Sequence, residues 1–209
     1  MSSLEFGLRR MTRIRAFVAV YPYSKTSVIA RAFFDFSTGL RKCRQVLATM
    51  AERKVINRCR LGQEYAYFRG PKSSQWVHIA EVTDFHWKVF YALREGQEVV
   101  YYKREAEYPG GRADALYYLK LEPDGSGLKF FLEYDDGGNR FDKLERYEVY
   151  AKSGEWVNEF WADPLKTGRP SFPLVLVVSD REISRYGIEV IRVKVCRPGD
   201  NYMEVLLYG

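Results

Sequence analysis

The sequence predicts an α/β protein in two parts: a basic, mainly helical part closed by a β-hairpin, then a mixed β-sheet with flanking helices. Three observations predict it. Charge is uneven along the chain: residues 1–70 hold 14 Lys/Arg against 4 Asp/Glu, a balance of +10, while residues 71–209 stand at −4. Apolar residues recur at helical spacing up to about residue 56, which marks helices. Beyond residue 97, β-branched and aromatic runs are separated by turn residues and interrupted by helical stretches, the pattern of a mixed sheet.

Composition sets the bounds. The chain has 209 residues, room for one ordinary domain and a smaller one, so boundaries at 1–70 and 71–209 are expected. Hydrophobic residues make up 46% and aromatics 16%, enough for a packed core and against disorder. No apolar run approaches a transmembrane length, so no membrane association is expected. Arg9, Arg10, Arg13 and Arg15 precede no apolar stretch of the kind a signal peptide needs. Cys43, Cys59 and Cys196 are distant and odd in number, and two histidines cannot complete a zinc motif with them. A reducing cytoplasm with structural thiols is expected.

The first part opens with Leu8, Met11, Ile14 and Val18 on one helical face. That helix should end near Tyr21-Pro22, because proline disfavours helix in the residue before it. Ser24 is a candidate N-cap for a second helix with Val28, Ile29, Ala32 and Phe33 on its apolar face. A turn with cap candidates Ser37 and Thr38 leads to a third helix, residues 40–56, in which Leu40, Cys43, Leu47 and Met50 form one buried stripe. Two short strand-like runs follow around Leu61-Gly62, a hairpin with Arg58 and Arg60 near its tip.

A short helix, a tight turn, a second amphipathic helix and a hairpin make a winged helix-turn-helix, a duplex-DNA reader. Arg41, Lys42, Arg44, Gln45 and Thr49 fall on the free face of the third helix. Arginine can bond guanine bidentately and glutamine can bond adenine. Arg58 and Arg60 would touch phosphates or a minor groove. DNA binding of this kind requires no cofactor. The alternative is a protein-interaction module with a solvated basic face.

In the second part, residues 76–95 predict a well-buried helix. Glu98–Lys103 is β-rich; residues 113–121 alternate; and residues 127–134 form a partner run across the turn "PDGSG". Leu144, Tyr147, Tyr150 and Ala151 share a helical face. Phe172–Ser179 reads as a central strand, buried on both faces. "IEVIRVKVC" and "YMEVLLY" read as terminal strands. Asp114 and Glu133 then lie on adjacent strands. Asp135, two residues on, should share the face of Glu133, and Asp136 adds a further carboxylate. Lys143 opens the next helix. Such a cluster is a solvated turn or a set of ion pairs, unless a cation offsets it.

The order helix, strand, strand with Asp, strand with Glu, helix, strand resembles the PD-(D/E)XK nuclease-like fold, also called restriction-endonuclease-like. More closely, "RADALYYL", "FFLEYDDGGNRFDKLERYEVY" and "FPLVLVVSDRE", following a winged helix, look like the replication-relaxation family of plasmids and related mobile elements. The residues that carry this likeness are Asp114-Ala115, Glu133-Tyr134-Asp135, Lys143-Leu144 and Tyr147. It implies a DNA-binding accessory or regulatory protein of plasmid replication, relaxation or transfer, with a relaxase or replication protein as partner. The nuclease motif wants lysine where Asp135 stands. Lys143 could supply that amine from the helix, with Asp114 and Glu133 holding Mg²⁺ or Mn²⁺.

Three readings follow. The favoured one is a non-enzymatic, cytoplasmic double-stranded-DNA binder, acting as a homodimer. One alternative is a metal-dependent endonuclease with Asp114, Glu133, Asp135 and Lys143 as catalytic candidates. The other is a transcriptional repressor. In a degenerate nuclease fold the carboxylates would pair with Arg112, Arg140 or Lys143. His78 and His86 are expected in core or surface roles, and no tyrosine is nominated as a nucleophile.

Overall fold

The computed structural model describes residues 3–34, 38–122, 126–137, 141–163, 170–185 and 187–208. The chain forms two compact units, Met1–Trp87 and Lys88–Gly209. The division falls inside a helix, later than the expected 70/71 boundary. Ser37, Arg140 and much of the "PDGSG" turn lie outside the described residues.

The first unit begins with α1 (Ser3–Val20), which ends just before Tyr21-Pro22. Ile14 and Val18 are fully buried and Met11 packs beside them, whereas Leu8 is exposed. A two-residue strand, β1 (Ser24–Lys25), precedes α2 (Thr26–Phe33). Ser24 is therefore not the helix cap. Its hydroxyl donates to the Tyr21 carbonyl at 2.7 Å, bracing the turn instead.

Helix α3 (Gly39–Glu52) is shorter than expected, and its buried stripe is Gly39, Cys43, Leu47 and Met50. Leu40 is exposed. The reason is close packing at the first turn, where a Cβ on Gly39 would lie 1.8 Å from the Phe34 carbonyl oxygen. Only glycine fits there, so the stripe starts one residue earlier and Leu40 is rotated outward. Thr38 stands at the N-cap without a side-chain cap bond.

Strands β2 (Asn57–Leu61) and β3 (Glu64–Phe68) form a hairpin turning at Gly62, whose φ is +58°. β1 adds to the other side of β3, giving the antiparallel order β1-β3-β2. Ile14, Ile29, Leu47, Ile56 and Tyr67 meet in the core between helices and sheet. Helix α4 (Trp76–Ala92) matches the expected helix and carries the boundary between the units. Within the first unit its Glu81 and Asp84 hold Lys25 at 3.2 and 3.0 Å.

The second unit is built on a five-stranded mixed sheet ordered β4-β5-β6-β7-β8. β4 (Glu98–Tyr108), β5 (Gly111–Lys120) and β6 (Gly127–Tyr134) run antiparallel. β4 extends past Lys103 through a charged stretch because an edge strand can turn alternate residues to water. After β6 the chain crosses over through α5 (Lys143–Ser153) and a 3₁₀ turn (Glu155–Asn158) to β7 (Leu174–Val178). β7 is parallel to β6 and buried throughout, as its apolar run predicts. β8 (Val193–Cys196) completes the parallel edge. Helix α5 lays Leu144, Tyr147, Tyr150 and Ala151 against Tyr108, Phe131, Val175 and Val177. It ends at Gly154 in the left-handed conformation, φ 72°.

The segment "YMEVLLY" is not a strand but helix α6 (Tyr202–Tyr208). Short apolar runs do not separate helix from strand by periodicity. The deciding signal lay just before it, in an Asn201-x-x-Glu204 capping pair. The Glu204 N–H donates to Asn201 Oδ1 at 3.4 Å, and Asn201 Nδ2 donates to Glu204 Oε2 at 3.3 Å. Lys194 closes the other end by donating to the Val205 and Leu206 carbonyls, both at 2.9 Å.

No described helix is long and apolar enough to cross a membrane. All three cysteines are unpaired: Cys43 and Cys196 are buried and Cys59 partly so.

One buried carboxylate ties α5 to the chain entering β8. Glu148 accepts the backbone N–H groups of Glu189, Val190 and Ile191 at 2.9–3.1 Å, and Lys152 lies 3.1 Å away. Burial works against its ionisation, but these donors outweigh it and hold the carboxyl below its ordinary range. Glu148→Ala would orphan the three donors, so we expect roughly 3 kcal/mol lower stability in urea unfolding. A change within about 0.5 kcal/mol, the range of an ordinary surface substitution, would show that Glu148 does not hold this segment.

Candidate functional site

The described structure offers two groups of candidate residues, one in each unit. In the first, α3 packs Cys43, Leu47 and Met50 inward, and helical geometry therefore turns Arg41, Lys42, Arg44 and Gln45 outward. All four are exposed. Among the described residues, no ion pair engages Arg41, Lys42 or Arg44. Thr49 is half-buried, and its hydroxyl donates back to the Gln45 carbonyl at 3.1 Å.

Arg58 and Arg60 are exposed on β2. Arg60 sits near the hairpin tip, its Nε donating to the Gly62 carbonyl at 3.3 Å. Arg58 is further from the tip than expected, opposite Tyr67, with its guanidinium 4.7 Å from the Tyr65 ring centre. Two more basic groups of this unit, evident in the sequence only as part of a basic N-terminus, meet aromatic rings. Arg10 and Arg13 on α1 lie over the rings of Phe34 and Phe33, at 4.6 and 5.5 Å. Their i, i+3 spacing was visible, but which aromatic rings they would meet was not.

In the second unit, β5 and β6 pair Ala115 with Leu132, which places Asp114 opposite Glu133 at the next step of the ladder. Opposite residues of an antiparallel pair share a face. Helix α5 covers that face and contributes two groups one turn apart. The Lys143 ammonium donates to Glu133 Oε2 and lies 3.8 Å from Asp114 Oδ1. The Tyr147 hydroxyl donates to Glu133 Oε1 at 2.5 Å. Asp114 Oδ2 accepts the Tyr134 N–H at 2.6 Å. Tyr108 stacks on Tyr147 with ring centres 4.5 Å apart.

Asp135 does not join them. It follows the end of β6, and its carboxylate takes the guanidinium of Arg181 at 2.7 and 2.9 Å and the Ser179 hydroxyl at 2.8 Å. Its N–H still donates to the Val178 carbonyl at 2.9 Å, continuing the β6–β7 ladder, but its carboxylate is taken by groups at and beyond the end of β7, so Asp135 and Glu133 have different partners. Arg112, one expected partner, pairs instead with Glu105 at 3.6 Å.

The electrostatics follow from burial. Glu133 has no solvent exposure, and its pKa is pushed up to about 7, first by burial and then by the neighbouring Asp114 charge. Lys143 and the Tyr147 hydroxyl pull the other way. Burial would lower the Lys143 pKa, but Glu133 and Asp114 outweigh it and raise it. The Tyr147 hydroxyl is held well above its usual range by burial and by Glu133. For Asp135, burial is outweighed by Arg181 and Ser179, and the carboxyl sits below its ordinary range.

As a donor set for a divalent cation these residues fit poorly. Both Glu133 oxygens already accept hydrogen bonds, and one Asp114 oxygen is taken by the backbone. Among the described residues, no group of three or more His, Cys, Asp or Glu is placed to hold a metal ion. The arrangement is a buried carboxyl held by one ammonium and one tyrosine hydroxyl. His86 is a buried group of the first unit, stacked on Tyr21 at 5.2 Å, with its pKa lowered to about 4 by burial.

A pH experiment tests the buried carboxyl. Between about pH 4.5 and 7 the folded chain holds a proton on Glu133 that the unfolded chain releases, so this group makes stability fall as pH rises through that window. His86 acts with the opposite sign between about pH 4 and 6.5, which makes the difference between proteins the informative quantity. Relative to the wild type, Glu133→Gln should gain in urea midpoint from pH 4.5 to 8. A pH-independent offset between the two would show that Glu133 does not titrate there.

Compared with protein-family models, with curated proteins and with solved structures, the chain matches none.

Proposed function

We propose that the chain is a DNA-binding accessory or regulatory protein whose first unit is a winged helix-turn-helix reading duplex DNA. The observation that carries this is the exposed face of α3, where Arg41, Lys42, Arg44 and Gln45 stand above a buried apolar stripe. The order α1-β1-α2-α3-β2-β3 with sheet order β1-β3-β2 supports it, α3 serving as the recognition helix and β2–β3 as the wing. The balance of +10 over residues 1–70 supplies the long-range attraction to phosphates. On this reading the second unit is a nuclease-like fold without catalysis, serving as a platform for a homodimer or for a relaxase or replication protein. The likeness to the replication-relaxation family supports a setting in plasmid or mobile-element biology, in the cytoplasm.

A second reading, a metal-dependent endonuclease, draws on the meeting of Asp114, Glu133 and Lys143 at one end of the sheet. It requires Lys143 to leave the carboxylates before a cation can enter. A repressor would use the same α3 face and differs only in where it binds.

Two experiments test the proposal. In fluorescence-anisotropy titrations of a duplex library, Arg41→Ala/Arg44→Ala should relax sequence preference by roughly 1–3 kcal/mol for each base that is no longer read. Arg58→Ala/Arg60→Ala should weaken all duplexes alike and flatten the salt slope by about one unit for each phosphate no longer neutralised. A dimer would show two chains per site in the same titrations. Binding unchanged in both variants would sink the assignment of this face. Secondly, supercoiled plasmid incubated with the protein and Mg²⁺ or Mn²⁺ should be retarded but intact. Nicking that Asp114→Ala abolishes would establish the endonuclease instead.

A further inference from the structure

We propose that the β2–β3 hairpin carries a stacking platform for one unpaired base, so that the preferred DNA is a duplex bearing a single-stranded tail. This rests on the DNA-binding reading above and names the form of DNA that the same unit takes.

The platform is Tyr65 with Arg58. In the β2–β3 ladder Arg60 pairs with Tyr65 and Arg58 with Tyr67, so these four side chains share one face of the hairpin. Tyr67 is buried in the core of the unit, whereas Tyr65, one step toward the tip, is 38% exposed. The Arg58 guanidinium lies 4.7 Å from its ring centre. A planar guanidinium laid on a partly exposed aromatic ring, beside a second arginine, makes a flat cation–π stack to which a base can add, with phosphate donors next to it. That is the combination by which proteins hold single-stranded nucleic acid.

The platform is also rigid. The Thr26 hydroxyl donates to the Tyr65 carbonyl at 3.2 Å. The adjacent Glu64 accepts from the Ser27 N–H at 2.8 Å and from its hydroxyl at 3.1 Å. The first turn of α2 therefore pins the strand on both sides of the ring, and little freedom is lost when a base stacks there.

The preference for an unpaired base follows from what a duplex offers. Inside a helix each base face is covered by its neighbours, and proteins read base edges, the role suited to the α3 side chains. An open π-face exists only where the stack ends or a strand is single. An exposed tyrosine in a basic hairpin gains nothing from duplex edges and something from such a face.

The test compares a blunt duplex with the same duplex carrying a short 3′ or 5′ tail, with 2-aminopurine at the first unpaired position. We expect wild type to bind one tailed form about tenfold more tightly than the blunt form and to quench the 2-aminopurine. Tyr65→Phe should keep both effects. Tyr65→Leu should lose both while keeping the wild-type sequence preference on blunt duplexes, which depends on α3 and separates stacking from a folding defect. Equal affinity for blunt and tailed DNA would overturn this proposal and leave duplex binding standing. A tail preference that survives in Tyr65→Leu would likewise overturn it. Failure of wild type to bind either form would overturn both.

Discussion

Glu133 has no exposure to water, and much of the second unit's arrangement follows from how that carboxyl is satisfied. A buried acid must find donors or a proton. Here the donors are Lys143 and Tyr147, one helical turn apart on α5. Two contacts from one helix to one carboxyl set both its rotation and its position along its axis. With α5 so placed, Leu144, Tyr147 and Tyr150 meet the sheet, and Glu148 reaches the backbone of residues 189–191 ahead of β8. A single polar requirement in the middle of the sheet is thus transmitted to its parallel edge. The same contacts occupy the oxygens that a divalent cation would need.

The two units handle charge differently. In the second, buried or half-buried carboxylates are matched: Glu133 by Lys143, Asp135 by Arg181, Glu148 by Lys152 and backbone donors. In the first, Lys25 is matched by Glu81 and Asp84, while the basic groups of α3 face solvent. Internal compensation favours a structural role, because paired charges contribute little field at a distance. A cluster of exposed cations has the opposite consequence: its potential extends over roughly a Debye length and favours a polyanion as partner.

Much of the fold was legible in the sequence. The end of α1 could be read from Tyr21-Pro22, the hairpin from Gly62, and β7 from its unbroken apolar run. The pairing of β5 with β6 and the opening of α5 at Lys143 followed from alternation and helical spacing. Where expectation and structure part, the cause is a contact that local pattern does not encode. Leu40 turns outward because Phe34 presses on Gly39. Residues 202–208 coil into a helix because the Asn201/Glu204 pair caps them and Lys194 on β8 closes their far end.

The candidate site divides along the same line. By itself the sequence determined which residues would come near one another in the second unit, since Asp114, Glu133 and Lys143 are set by strand pairing and by where a helix begins. It also determined which face of α3 would be basic, because 3.6-residue periodicity allows one buried stripe. Only the tertiary structure decided what the carboxylates do. Asp135 found Arg181 and Ser179, 46 and 44 residues on, across the end of a parallel strand pair, and Glu133 found Tyr147 deep in the core. Periodicity assigns a side chain to a face, but its ionisation and partners depend on burial and on distant residues, which exist only once the chain has packed.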